Sequence, residues 1–229
     1  MKPVSLWRHE LRRAGWPAPA AVAGGIAGTL ALAAPTIVSG TARAQTEKVL
    51  LTGLEAVVPL AVGMAAVTVI AKDSCRELHL TLPTAYLATL GRRLAVVAGV
   101  AAAGSLVFSV ALALTGWWSG PSFTASPLVW APPLLALAGL AMLVAVLGRS
   151  VVLATSTVAA VWLLEHLLAG YFVNHRWARP FFLFMTTRSG VDEHWIGNRV
   201  GLTVTGVVLI AAAIALLRRP EHLLTEEEA

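Results

Sequence analysis

The chain has 229 residues, of which 57% are hydrophobic and only 13% are charged, and its mean hydropathy is +0.76. Soluble domains carry about a quarter charged residues, so this composition excludes an ordinary water-soluble fold. The net charge of +5 is not gathered into a basic stripe with interleaved aromatic residues, so nucleic acid is not an expected partner. The sequence predicts an all-α integral membrane protein, because a lipid-embedded backbone must satisfy its hydrogen bonds internally.

Six runs with few or no charges predict six transmembrane helices in a single domain that covers residues 1–229. The uncharged stretch 94–148 is too long for one helix, and its middle, GWWSGPSFTASPLVW, has the glycine, proline and serine content of a turn. The first run resembles a secretory signal, but it is longer than a typical signal core, so we expect it to be retained. The predicted spans cover residues 17–40, 50–71, 94–115, 128–147, 150–172 and 200–217.

The distribution of lysine and arginine predicts the orientation of these spans. Cytoplasmic segments of membrane proteins carry an excess of both residues, and an inside N-terminus places eleven of the 17 on the cytoplasmic side. The chain is therefore expected to have both termini inside. The outer segments then hold the remaining six, which are Arg43, Lys48, Arg176, Arg179, Arg188 and Arg199.

The cytoplasmic link between the second and third spans has the features of a short capped helix followed by a bend. Ser74 and Glu77 have the spacing of a capping box, in which both side chains satisfy free amides at a helix start. Pro83 disfavours helical geometry at the preceding residue, so a second helix is expected to begin around Pro83 and to continue into the third span. The element, residues 74–91, is either an interfacial helix that rests on lipid headgroups or a docking surface for a partner.

The segment RELHLTLPTAYLATLGRR, residues 76–93, resembles the loop after the second span in permeases of the type-2 ATP-binding cassette (ABC) export family. The C-terminal stretch WIGNRVGLTVTGVVLIAAAIALLRRPEHLL is also similar to that family, and the resemblance extends over the six-span layout. It implies a coupling helix that fits a groove on a cytoplasmic ATPase, and short re-entrant or interfacial helices within residues 173–199. The coupling residues implied are Ser74, Arg76, Glu77, Leu80, Leu82, Pro83 and Tyr86.

By this resemblance the chain is half of an ATP-driven exporter in a bacterial cytoplasmic membrane. The sequence lacks the G-x-x-x-x-G-K-[ST] phosphate loop, so no enzyme activity and no cofactor are expected in this chain. ATP and magnesium are expected to be used by a separate ABC ATPase subunit. A second permease copy or paralogue and membrane lipid are the other expected partners, and antibiotics, peptides, lipids and glycans are all candidate substrates.

Two acids lie inside predicted spans, Glu55 and Glu165, and His166 is next to the second of them. Ionisable groups within a membrane are energetically expensive and are often functional, so these three residues are candidates for a translocation pathway. In the alternative interpretation the acids only hold helices together, paired with outer arginines from the set Arg43, Arg176 and Arg179.

Other classes of function make different demands on the sequence. No H-E-x-x-H motif occurs and Cys75 is the single cysteine, so neither a metal site nor a catalytic residue is predicted. A stand-alone proton-coupled secondary transporter, with Glu55 and Glu165 as proton carriers, should contain internal repeats, and no convincing repeat is present. A purely structural membrane subunit is the remaining alternative.

Overall fold

A computed structural model of the protein describes residues 17–39, 42–71 and 86–218. These residues form helices and short connections, and no β-strand occurs among them. The α-helices in chain order are α1 (Pro17–Val38), α2 (Arg43–Thr52), α3 (Val58–Ala71), α4 (Tyr86–Leu114), α5 (Pro127–Gly148), α6 (Val151–Leu167), α7 (Ala169–Asn174), α8 (Met185–Ser189) and α9 (Trp195–Leu217). A π-helical turn, Gly53–Val57, joins α2 to α3 without a break, and two 3₁₀ turns occupy Phe123–Ala125 and Arg179–Phe181.

Five helical units are long and apolar enough to cross a membrane: α1, the continuous α2–α3 unit, α4, α5 and α9. The all-helical, multi-pass membrane class predicted from the sequence is therefore confirmed for the described residues. The predicted fifth span differs, because α6 has only 17 residues and ends where the backbone turns out of helical geometry at Leu168 (φ −95°, ψ 22°). The short helix α7 continues the chain after this turn.

Several helices begin before the apolar runs that predicted them. The second span begins at Arg43 instead of residue 50, because its polar first turns are also helical and are supported by an Arg43–Glu47 ion pair of 2.8 Å at i,i+4 spacing. The last span begins at Trp195 instead of residue 200. Hydropathy detects only the lipid-facing part of such helices.

The predicted coupling element lies mostly outside the described residues. Tyr86 is the first residue of α4, which continues unbroken to Leu114. The remaining predicted coupling residues, which are Ser74, Arg76, Glu77, Leu80, Leu82 and Pro83, lie in the stretch 72–85 that the structure does not describe.

The centre of the helix bundle is α5, which packs against α3, α6 and α9. The α5–α9 crossing is close because two glycines meet there. A Cβ added at Gly206 would lie 2.6 Å from the carbonyl carbon of Leu135, and one added at Gly139 would lie 2.7 Å from the carbonyl oxygen of Gly206. Small residues that let backbones approach are the usual means of helix association in membranes, where no hydrophobic force acts between helices.

Large aliphatic side chains cover the outside of the bundle. A soluble monomer rarely exposes contiguous apolar surface on this scale, whereas a lipid bilayer covers it. The exposed residues on the three helices α4, α6 and α9 include Val107, Leu114, Val152, Leu153, Leu163, Leu164, Leu167, Val200, Val204, Val207 and Val208.

The predicted orientation has a direct test by cysteine labelling. In a Cys75→Ala background, Ser119→Cys and Val191→Cys should react with a membrane-impermeant maleimide added to intact cells, because both residues lie in connections assigned to the outside. Ser150→Cys, between α5 and α6, should react only after the membrane is permeabilised. Labelling of Ser150→Cys in intact cells would show that the orientation is reversed.

Candidate functional site

Glu55 lies in the π-helical turn between α2 and α3. Pro59 has no amide that would bond the Glu55 carbonyl in a regular α-helix, and the Val58 amide instead bonds the carbonyl of Gly53, five residues back. Gly53 lets α1 approach this turn, since a Cβ there would lie 2.0 Å from the Thr29 methyl group. The wide turn positions Glu55 inside the protein, where its side chain has 0% exposure.

The Glu55 carboxylate is surrounded by hydrogen-bond donors from α8 and α9. The backbone amides of Thr186 and Thr187 each donate to one carboxylate oxygen at 2.8 Å. Arg199, with 1% exposure, forms a salt bridge with the same carboxylate. A buried carboxylate is tolerated only when charge and hydrogen bonds replace its hydration, and these three donors do so.

Further polar contacts orient Arg199. Its guanidinium also donates to the Thr186 hydroxyl at 2.7 Å, and that hydroxyl accepts a second bond of 3.0 Å from the Trp195 indole. The Trp195 ring lies 5.6 Å from the guanidinium carbon, within cation–π range. On the opposite side, a long contact of 3.5 Å reaches the carbonyl of Val129, which lacks its helical partner because Pro133 has no amide.

Two more side chains hold the segment between α7 and α9. Glu165, near the end of α6, accepts a 2.8 Å bond from the Leu183 amide. Asn198 on α9 donates to the carbonyls of Arg179 at 2.7 Å and Phe182 at 2.8 Å. These polar bonds fold the segment back among the helices, and residues 182–185 are at most 2% exposed.

The structure changes the partners expected for the two acids. Glu55 pairs with Arg199 and Glu165 bonds a backbone amide, instead of the predicted outer arginines. Arg43 is occupied by Glu47 and by the carbonyl of Gly116, and Arg179 donates to the carbonyl of Val173 at 2.7 and 3.0 Å. Arg176 is exposed. The expected assignment of Arg199 to an outer segment was wrong, because the helix starts earlier and carries Arg199 into the interior.

His166, the third pathway candidate, lies in different surroundings from the acids. Its ring stacks on Trp162 at 5.6 Å between centroids and meets Phe184 edge-on at 5.4 Å. Arg188 donates to its Nε2 at 3.2 Å. The structure therefore brings His166, but neither Glu55 nor Glu165, to the wall of a cavity that lies outside the buried network.

This cavity has a volume of about 460 Å³. We call it the outer cavity, because the predicted orientation assigns it to the outer side. It is bounded by α1, α2, the π-helical turn, the end of α6 and α8. Most of its wall surface is apolar, and polar and cationic side chains are among its lining residues. The lining residues are Thr29, Leu32, Gln45, Lys48, Val49, Thr52, Gly53, Val57, His166, Phe184, Thr187 and Arg188.

Several residues of the network and of the cavity were not singled out by the sequence. Arg199, Thr186 and Asn198 were missed as a group, although a basic residue at the start of an apolar run is a usable signal for pairing with a buried acid. Lys48 and Arg188 were counted only for orientation. Among the described residues, no group of three histidine, cysteine or acidic side chains is arranged to hold a metal ion.

The features that bear on function are thus the buried Glu55–Arg199 network, the folded-back segment that it holds, and the outer cavity beside them. Comparisons of the chain with protein-family models, with curated proteins and with solved structures find no match.

Proposed function

We propose that this chain is the membrane-spanning subunit of an ATP-driven ABC exporter in a bacterial cytoplasmic membrane. It would form half of the translocation pathway, cross the membrane six times with both termini inside, and couple to a separate cytoplasmic ATPase. A second permease copy or paralogue would complete the pathway. The motif resemblance of residues 76–93 and 195–224 motivates the proposal.

The observation that carries the proposal is the folded-back segment between α7 and α9. A segment that rests on the outer leaflet would turn its apolar side chains toward lipid. Here residues 182–185 are buried in the protein, and the backbone of residues 182–186 is bonded to Glu165, Glu55 and Asn198. This arrangement favours a re-entrant element, and the exporter resemblance implies re-entrant or interfacial helices between the last two spans.

The connections between helices suggest a route for coupling. Residues 72–85 connect α3 to α4, so a push from an ATPase on this link acts on both helices. The α3 helix continues through the π-helical turn to Glu55, whose carboxylate holds the Thr186 and Thr187 amides. A tilt of α3 would therefore move the outer folded-back segment together with the inner link, as alternating access requires.

Removing the predicted cap of the coupling element tests this function. The double variant Ser74→Ala and Glu77→Ala should be produced and inserted normally, because losing an N-cap costs only about 1 kcal/mol. It should retain less ATPase during affinity purification from native membranes, and ATP hydrolysis should no longer drive transport. Mass spectrometry of the co-purified proteins and ATP-dependent uptake into inverted vesicles measure the two effects.

The matched control is Arg8→Ala with Glu10→Ala. It also removes two polar side chains, one of them an acid, from a predicted cytoplasmic segment, and it should have a smaller effect. Full coupling in the Ser74 and Glu77 variant would instead support an interfacial helix that rests on lipid. A purified chain that transports alone, driven by a proton gradient and indifferent to ATP, would overturn the exporter proposal in favour of a secondary transporter.

A further inference from the structure

The wall of the outer cavity carries two cationic side chains, Lys48 from α2 and Arg188 from α8, and these two helices contact each other. Both are exposed, and Lys48 forms no ion pair with any described residue. Arg188 donates to His166, whose Nε2 is an acceptor and not a counter-charge. The cavity wall therefore holds two positive charges that no carboxylate of the described residues neutralises.

Acidic groups near the cavity do not cancel these charges. None of the described lining residues is acidic. Glu55 is fully buried behind the Thr187 wall and is paired with Arg199, while Glu47 accepts from Arg43. An anion in the outer cavity would meet favourable charge from Lys48 and Arg188, and Gln45 also lines the wall as a further hydrogen-bond donor.

Most of the surface of the cavity wall is apolar. Its large apolar side chains are Leu32, Val49, Val57 and Phe184, and Phe184 is fixed by its contacts with His166 and Trp162. From Lys48 to Val57 the helix rises about 13 Å at 1.5 Å per residue, so the Lys48 cation and the Val57 side chain are separated by the length of several methylene groups. The volume of about 460 Å³ is within the range of small-molecule sites.

We propose that the outer cavity binds an anionic amphiphile, with its charged head between Lys48 and Arg188 and its hydrocarbon portion against Leu32, Val57 and Phe184. The two parts of the wall require both features in one molecule. A free inorganic anion leaves the apolar wall uncovered, and an uncharged or zwitterionic lipid leaves the two cations without a net counter-charge. Its placement in the outer leaflet rests on the predicted orientation, and its identification as the place of the exported cargo rests on the exporter function proposed above.

The test is lipid binding to the purified full-length chain in a neutral maltoside detergent, followed by native mass spectrometry. The probes are lysophosphatidylglycerol, lysophosphatidylcholine with the same acyl chain, and inorganic phosphate. We expect one saturable lysophosphatidylglycerol site and binding of lysophosphatidylcholine that is about tenfold weaker, because its choline cation offsets the negative charge of its phosphate. Inorganic phosphate should not compete, because it has no hydrocarbon portion to contact the apolar wall.

Three variants locate the bound molecule. Lys48→Gln and Arg188→Gln should each weaken lysophosphatidylglycerol binding about tenfold and reduce the preference over lysophosphatidylcholine. Val49→Trp fills the apolar part and should weaken both lipids while it leaves both cations in place. The matched control is Arg176→Gln, which removes an exposed outer cation that does not line the cavity, and it should bind like the unmodified chain. Thermal unfolding followed by tryptophan fluorescence checks that each variant is folded.

Each outcome either supports or overturns the inference. Equal binding of both lipids, or equal weakening by Arg176→Gln, would show that the lipids associate only with the general hydrophobic surface. Competition by phosphate at the same site would indicate a simple anion site and would overturn the amphiphile class. Because the assay contains no ATPase, failure here leaves the exporter proposal standing, and failure of ATPase co-purification leaves the binding result standing.

Discussion

Replacing Arg199 with methionine should destabilise the folded chain by about 3 kcal/mol or more, the usual effect of removing one partner from a buried ion pair. The variant would leave the Glu55 carboxylate, at 0% exposure, with two amide donors but no counter-charge. It would also remove the guanidinium bond to the Thr186 hydroxyl. The midpoint of thermal unfolding in detergent, followed by tryptophan fluorescence, measures this loss.

A double-mutant cycle measures the interaction free energy between Glu55 and Arg199 separately from the contacts that each makes with its surroundings. Glu55→Gln alone should also destabilise, because an amide NH₂ group replaces an oxygen that faces the Thr186 and Thr187 amides. The double variant Glu55→Gln with Arg199→Met should be more stable than the sum of the two single losses implies, since no unpaired charge remains. Strictly additive losses would contradict a coupled pair. Arg176→Met, at an exposed arginine, should change stability by no more than about 0.5 kcal/mol.

If Glu55 serves only to hold the folded-back segment, transport and stability will fall together in Glu55→Gln. The structure gives this carboxylate a full set of partners and no contact with the outer cavity. Normal stability with abolished transport would instead make Glu55 part of the pathway. The same comparison applies to Glu165→Gln, which would weaken the bond to the Leu183 amide.

Gly206→Ala should destabilise the α5–α9 crossing by about 2 kcal/mol, within the range found for overpacked interiors. The new methyl group would lie 2.6 Å from the carbonyl carbon of Leu135 and 2.8 Å from the amide nitrogen of Ala136. These are backbone atoms that cannot rotate away, so the two helices must separate. The loss should appear as a lower thermal unfolding midpoint and as a lower yield of monodisperse protein in size-exclusion chromatography.

Gly197→Ala provides the matched control for this substitution. It lies on the same helix, and a Cβ there would have nothing within 4 Å. Alanine is favoured over glycine in a helix by up to about 1 kcal/mol, so this variant should be unchanged or slightly more stable. Equal destabilisation at positions 197 and 206 would rule out the close crossing as the cause.

Most of the architecture was predictable from local composition. Long uncharged runs predict membrane helices because an unpaired backbone group in lipid is costly wherever it lies, and this requirement does not depend on the neighbours of a helix. The helices α1 and α5 follow those runs closely. The predictions were less accurate at Arg43, Trp195 and Leu168, where polar first turns extend a helix or where the chain turns away to form the folded-back segment.

The candidate site was predictable only in part. Glu55 and Glu165 were identifiable as costly groups from their positions in apolar runs, and that inference needed no partner. Their partners were not identifiable, because Arg199 is 144 residues from Glu55 in the chain and the Thr186 and Thr187 amides have no sequence signature. The Thr186 and Thr187 amides become donors to the Glu55 carboxylate only because a segment distant in sequence folds back to present them.

Hydrophobicity acts on each segment separately, and the residues of this chain alone therefore specify an all-helical membrane protein with two costly buried acids. The pairing of these acids with their partners depends on which segments of the chain come into contact. Those contacts follow from the glycine contacts of α5 with α9, the π-helical turn at Glu55 and the early start of α9. The same three-dimensional arrangement places Lys48 and Arg188, distant in sequence, on the wall of the outer cavity. The positions of these two cations depend on the packing between helices, and no local pattern in the sequence encodes that packing.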